Sequence, residues 1–308
     1  MSLNFIPVNT KIDFIRYKMI FFIISLVIVL GTVGLVFQKG LNYGVDFKGG
    51  FLISIRTIEN ANIGDLRSKL SKMNLGEVSI QEMGSPKDVQ IKIERQPGGD
   101  EAQSVALAKI KGGLGTGVEY RTVETVGPKV GEELIANAIK AVIYAMIGML
   151  IYVWFRFEWE FSVSSIVAIF HDCVAIVGMY ALFGMEFNTT AIMAILVTAG
   201  YSINDTIVIF DRIRENLVRY KKMPIADLIN VSINETLSRT ILTSSTTLIA
   251  LGALYVFGGD TISTYSLPIM VGVAVGTYSS ILIAAPFLIH LGFKKERHKI
   301  IIKDDKAL

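Results

Sequence analysis

The sequence predicts an α-helical membrane protein of six transmembrane helices, with a small α+β domain between the first and the second. Three observations carry this. Of the 308 residues, 52% are hydrophobic and only 19% charged, whereas a soluble domain carries about 25% charge. The charges are unevenly placed, leaving six apolar runs long enough to cross about 30 Å of hydrocarbon. Between the first two runs lies a polar stretch, residues 39–133, whose apolar residues alternate as in a folded β-rich domain. This composition excludes a disordered chain, a disulfide-stapled scaffold and most soluble enzymes. A net charge of +3 gives no reason to expect nucleic acid as a partner. The single Cys173 permits no intramolecular disulfide, and its apolar surroundings make it a small core residue.

The first span, Met19–Phe37, contains no Asp, Glu, Lys or Arg. Lys11, Arg16 and Lys18 precede it as they would precede a signal peptide. The run is longer than a usual signal core and lacks a small-x-small cleavage site, so an uncleaved anchor is expected. Span 2, Leu134–Phe155, holds only Lys140, read as a residue that snorkels to the outer interface. Span 3, Phe161–Phe183, contains His171 and Asp172, and span 4, Thr189–Phe210, contains Asp205. Spans 5 and 6, Thr240–Phe257 and Tyr265–Leu291, carry no Asp, Glu, Lys or Arg. Pro268 falls in the first turn of span 6, and Pro286 is expected to kink its end.

Lys and Arg in short loops set the orientation. Arg212, Arg214, Arg219, Lys221, Lys222 and Arg239 crowd the loop 212–239. Lys294, Lys295, Arg297, Lys299, Lys303 and Lys306 crowd the tail. The turns Gly184–Asn188 and Gly258–Thr264 carry no Lys or Arg. Both termini are therefore expected in the cytoplasm and the 39–133 domain outside. The expected division is 1–38 for the N-terminus and first helix, 39–133 for the outside domain, 134–291 for the remaining helices, and 292–308 for the tail. Residues 212–230, amphipathic and broken by Pro224, read as a helix lying on the cytoplasmic face.

Within the outside domain, Phe51–Thr57 is β-rich, and Asn62 caps a helix that reaches Met73 with Ile63, Leu66 and Leu70 on one face. Strands are expected at Glu77–Gln81 and Asp88–Glu94 around a Gly84-Ser85-Pro86 turn. A second helix, Asp100–Ile110, and a last strand, Gly117–Val126, complete a βαββαβ order, the ferredoxin-like pattern. The Gly-rich run 112–117 lacks the Lys-Ser/Thr of a phosphate loop, and no nucleotide motif occurs elsewhere. No enzyme activity, organic cofactor or metal is expected.

The chemistry concentrates in spans 4 and 5. A carboxylate inside a span costs about 2.5 to 3.5 kcal/mol on insertion scales, so it faces a bundle interior or a wet cavity. Asp205 shares a helical face with Thr198, Tyr201, Ser202, Ile209 and Arg212, a largely polar stripe. Arg239 opens span 5 from the same side of the membrane, at similar depth. Burial favours the neutral carboxyl and the arginine the charged one, opposed influences that suit a switchable proton site. Thr243, Thr246 and Thr247 share the Arg239 face. Tyr201, Ser202, Thr243 and Thr247 are candidate relay hydroxyls, and His171 and Asp172 are either a second relay or a hydrogen-bonded structural unit. The plainer alternatives for Asp205 and Arg239 are a structural ion pair, or an arginine that snorkels to phospholipid. Gly272 and Gly276 form a small-xxx-small face for close helix packing.

The blocks Tyr43-Gly-Val-Asp-Phe-Lys-Gly-Gly50 and Gly200-Tyr-Ser-Ile-Asn-Asp-Thr-Ile-Val-Ile-Phe-Asp-Arg-Ile-Arg-Glu-Asn216 resemble those of the SecD/SecF family of bacterial protein-export membrane proteins. Thr236-Leu-Ser-Arg-Thr240, Thr243-Ser-Ser-Thr-Thr247 and Gly276-Thr-Tyr-Ser-Ser280 agree as well. The resemblance implies half of a resistance-nodulation-division (RND) transporter, with SecD as the pseudo-symmetric other half. It further implies an accessory of the Sec translocase in the bacterial cytoplasmic (inner) membrane. There, protons serve as the coupling ion and the proton-motive force promotes preprotein export through SecYEG. SecD, SecYEG, the translocating preprotein and the lipid bilayer are the implied partners. Functional charges are implied at the positions of Asp205 and Arg239. Gly49-Gly50 and Gly127-Pro128 are candidate hinges or plain tight turns. Two other functions stay open: a scaffold of the translocon that carries no protons, and half of a small-solute exporter.

Overall fold

The computed structural model describes residues 10–76 and 78–293. The start of the second expected strand at Glu77 and the six basic residues of the tail lie outside the described residues. The chain begins with helix α1, Lys18–Lys39, which is followed by a one-turn helix α2, Val45–Lys48, that the sequence reading missed. Strand β1, Gly50–Thr57, leads to helix α3, Ile63–Ser71, whose first turn is capped by the Asn62 side chain accepting from Asp65 N at 3.2 Å. Strands β2, Val78–Met83, and β3, Ser85–Glu94, flank a turn narrower than expected. Gly84 alone supplies the reversal, at φ 70°, and Ser85 and Pro86 already belong to β3. Helix α4, Gly99–Leu114, and strand β4, Val118–Val126, complete the unit.

All strand pairs are antiparallel in the order β2-β3-β1-β4, which is the ferredoxin-like sheet. Val89, Ile91 and Ile93 alternate onto one face and are buried with Phe51, Ile53 and Ile55 against Leu66, Leu70 and Ile110 of the two helices. Period-2 and period-3.6 apolar patterns thus meet in one core.

Among the described residues, six helices are long and apolar enough to cross a membrane. Helices α5, Pro128–Arg156, and α6, Trp159–Phe183, contain spans 2 and 3, and α7, Thr189–Arg219, contains span 4. Helix α8, Ile225–Phe257, contains span 5. Helix α9, Gly259–Ser279, passes through a π-helical turn, Ser280–Ala284, into α10, Ala285–His290. Two expectations fail here. Residues 212–230 form no separate surface helix, because α7 runs on to Arg219 and α8 starts at Ile225, directly after Pro224. The two prolonged helices form a hairpin zipped by Ile213, Leu217, Leu228, Ile229 and Ile233, all buried. Inside that seam Asn216 Nδ2 donates to Ser232 Oγ at 3.0 Å and to Glu235 Oε2 at 2.6 Å. The apolar stripe read as lipid-facing therefore faces the other helix. Pro268, expected in a first turn, lies well inside α9 because that helix begins at Gly259. At the far end Pro286 lies in the first turn of α10 just past the π-turn, where the Ser164 hydroxyl donates to the Ala284 carbonyl. The widened π-turn directly before Pro286 accommodates a proline in an apolar helix.

Two apolar clusters fill the bundle. One holds Ile176, Tyr180, Phe187, Ala191 and Ile195, near the end that carries the sheet domain. The other holds Phe161, Ile209, Phe210, Leu237 and Leu288. Between them lies a layer of buried polar residues.

Candidate functional site

That layer contains Asp172 of α6, Ser202, Asp205 and Thr206 of α7, Thr240 and Ser244 of α8, and Ser279 and Ser280 at the end of α9, each no more than 5% exposed. Small residues make it possible for the helices to come so close. A Cβ on Gly272 would collide with the Thr198 side chain, and one on Gly276 would sit 3.0 Å from Ser202 Cβ. The small-xxx-small face of α9 thus presses directly on the polar stripe of α7.

Asp172 is the best-partnered carboxylate. Its Oδ2 accepts from Ser202 Oγ at 2.6 Å and from Ser279 Oγ at 2.7 Å, and its Oδ1 lies 3.0 Å from His171 Nδ1. His171 Nε2 is buried and has no hydrogen-bond partner. The His171 ring lies 6.1 Å from that of Tyr278, whose hydroxyl donates to the Phe21 carbonyl and pairs with Ser25 Oγ, both on α1. Three helices therefore meet at one His-Asp pair, and Tyr278 ties it to α1. Ser280 Oγ donates to the Ser202 carbonyl at 3.1 Å and pairs with Thr206 Oγ1 at 2.9 Å, which extends the layer by one turn.

Asp205 differs in kind. It is 2% exposed, and its Oδ2 has no hydrogen-bond partner. Ser244 and Arg239 are the groups that act on its charge. Ser244 Oγ also pairs with Thr277 Oγ1 at 2.6 Å. Arg239 forms no ion pair with Asp205 and lies exposed on α8. The face of α8 turned to Asp205 carries Thr240 and Ser244, whereas Arg239, Thr243 and Thr246 occupy the more open face. Thr243 Oγ1 donates to the Arg239 and Thr240 carbonyls of its own helix, and Thr247 Oγ1 donates to the Thr243 carbonyl. Thr247 also meets Tyr201, hydroxyl to hydroxyl, at 3.2 Å. Sequence reasoning brought Asp205 and Arg239 to one depth, but it missed Ser244, Thr277 and Thr206 as neighbours. Helical phase across two helices, which decides this, cannot be read from either helix alone.

Six spans with a ferredoxin-like domain after the first are the architecture of half an RND-type transporter. The family described as "Protein export membrane protein SecD/SecF, C-terminal" matches residues 107–294, and the "SecD/SecF GG Motif" matches residues 34–57. The chain belongs to the SecD/SecF family, on its SecF side. "Protein translocase subunit SecF" of Cereibacter sphaeroides is 41% identical over 314 residues, covering 99% of this chain and 96% of the relative. "Protein translocase subunit SecDF" of Brucella abortus is 40% identical over 95% of this chain, which spans 39% of that longer protein. The crystal structure of SecDF, a translocon-associated membrane protein from Thermus thermophilus, superposes with a TM-score of 0.77 at 38% identity. The match covers 95% of this chain and 40% of that one.

Proposed function

We propose that this chain works with SecD as one half of a proton-driven unit that promotes preprotein export through SecYEG, and that Asp205 is the residue that takes up and releases the proton. The unpartnered, buried Oδ2 of Asp205 carries this reading. A carboxylate whose second oxygen lacks a donor favours protonation, while a cation close by favours ionisation, so a small change in geometry moves the balance. Arg239, open on the outer side of the pair, supplies the cation and is free to respond to a second half packed against it. Tyr201 with Thr247, and Ser244 with Thr277, are the hydroxyl pairs through which the proton reaches the site. Asp172 is read as a tie, because both of its oxygens are already engaged.

The partner assignment draws on the SecDF relatives, in which both names belong to one chain. The Lys and Arg residues of the 212–239 hairpin support a cytoplasmic placement of both termini, with the sheet domain on the other side of the bacterial cytoplasmic membrane. One charge crossing 100 mV releases about 2.3 kcal/mol, enough to bias a two-state movement more than tenfold without nucleotide. The test is gradient-dependent completion of preprotein export in vesicles holding SecD with either the parent chain or D205N, with equal assembly checked by co-purification. Loss of the gradient-dependent component is expected. Unchanged stimulation would leave Asp205 structural and make the chain a scaffold.

A further inference from the structure

Helix α7, which carries Asp205, does not end freely at the sheet-domain side. Its first turn is held by a side chain from 143 residues earlier. Asp46 of α2 accepts from Thr189 Oγ1 at 2.8 Å and from Thr189 N at 3.3 Å through the same oxygen, Oδ2. The helix's own cap, Asn188, already serves Thr190 N at 3.1 Å, so Asp46 is a second, imported cap. Around it the segment 42–44 pairs with the α6–α7 turn. Phe187 N donates to the Asn42 carbonyl at 2.6 Å and Gly44 N to the Phe187 carbonyl at 3.0 Å, while Phe47 and Tyr43 pack edgewise or tilted on the Phe187 ring.

The same few residues also grip the sheet domain. Lys48 Nζ lies 2.7 Å from Glu94 Oε1, Arg95 N donates to the Gly49 carbonyl at 3.2 Å, and Lys92 Nζ lies 3.0 Å from Glu186 Oε1 in the α6–α7 turn. Gly50 leaves no slack, because a Cβ there would collide with the Ile93 carbonyl. This favours the tight-turn reading of Gly49-Gly50 over a hinge. From Thr189 to Asp205 is sixteen residues of unbroken helix, about 24 Å at 1.5 Å per residue.

We infer that Asp46 is a positioning residue that locks the outer end of α7 to the root of the sheet domain, so that any displacement of the Asp205 helix is delivered to that domain as one rigid body. The coupling role rests on the proton reading of Asp205; the lock itself does not.

The test uses the full chain with SecD in vesicles, spin-labelled at K109C on exposed α4 and M193C near the start of α7, in a C173A background. The parent should show one narrow inter-label distance. D46A should broaden and shift it, whereas D46N, which keeps an acceptor oxygen for Thr189, should restore it. T189V, which deletes one of the two bonds from the other side, should broaden it in the same direction and stands in if D46A does not accumulate. An unchanged distance in whichever variant folds overturns the lock, and so does D46N behaving like D46A. In the same vesicles D46A should lose gradient-dependent export and D46N retain it. A broadened distance with export intact overturns the coupling role. If D205N keeps gradient-dependent export, the proton reading fails on its own, and the distances still decide the lock.

Discussion

The Ser202 hydroxyl on α7 donates a 2.6 Å hydrogen bond to the Asp172 carboxylate on α6, one turn from Asp205 on the same helix. The two buried acids thus meet at the same stretch of α7, one from α6 and one from α7 itself, but differ in chemistry. Both oxygens of Asp172 are engaged, whereas Asp205 Oδ2 has no partner. Replacing Asp172 by leucine leaves the Ser202 hydroxyl without its acceptor, at about 1–3 kcal/mol for the unsatisfied group, while the Ser279 hydroxyl keeps the Gly276 carbonyl at 3.1 Å. D172L should therefore unfold several degrees below the parent in detergent. D172N keeps one acceptor oxygen, so we expect most of the stability and the gradient-dependent export to survive, in contrast to D205N. Equal loss of export in D172N and D205N would move the proton onto Asp172 as well.

The contact between Gly272 and Thr198 predicts a second, separable effect. Adding one methyl group as G272A drives it into the Thr198 side chain, and overpacking of this kind costs about 1–3 kcal/mol. Because the obstacle is a single side chain, T198A, which removes Oγ1 and Cγ2 and leaves Cβ at 2.9 Å, should relieve most of the collision. The double variant G272A/T198A should be more stable than the sum of the single losses requires, by thermal unfolding in a double-mutant cycle. Additive losses would mean that α9 approaches α7 elsewhere.

Much of this architecture was legible in the chain because membranes and sheets impose long, simple patterns. The six spans follow from runs without charge, and the inserted domain from Val89, Ile91 and Ile93 set against the Leu66 and Leu70 stripe. What escaped depends on pairs of elements. Helix α2 is a single turn, too short for any periodicity, and Asp46 matters only because residue 189 folds back to it. The prolonged α7–α8 hairpin was misread because an amphipathic stripe looks the same whether it faces lipid or another helix. Asp205 stood out by its cost, but the angle between α7 and α8 decides whether Arg239 or Ser244 faces it. The π-turn at Ser280–Ala284 receives a hydrogen bond at its last carbonyl from Ser164, more than a hundred positions away in the chain.

The hairpin makes its own prediction at Asn216, which is fully buried and bonded to both Ser232 and Glu235. N216L removes both donors and leaves the Glu235 carboxylate with Arg212 Nε, at 2.7 Å, as its remaining partner of the two. A lost hydrogen bond to a charged group is worth about 1.5–3 kcal/mol. Limited proteolysis should then cut the 220–224 connection faster in N216L than in the parent, while the sheet domain stays equally resistant. Uniform protection would show that apolar zippering alone holds the hairpin.

Outside the membrane, one titrating pair gives the sheet domain a defined acid response. Arg56 on β1 and Asp88 on β3 form a two-pronged ion pair, Nε to Oδ1 and Nη2 to Oδ2, both at 2.6 Å. The Arg56 hydrogen bonds hold the Asp88 carboxyl below its usual range, which for an unfolded Asp is about 3.9. A group whose folded value is depressed stabilises the fold above the unfolded value and loses that contribution as pH falls through the folded one. Hydrogen exchange of the β1 and β3 amides beside the pair should therefore be pH-insensitive in its opening free energy near neutrality. It should weaken below about pH 4. In D88N the charge is absent at every pH, so the same amides should start less protected and show a smaller acid-induced change. An identical acid response in D88N and the parent would assign it to other carboxylates of the domain.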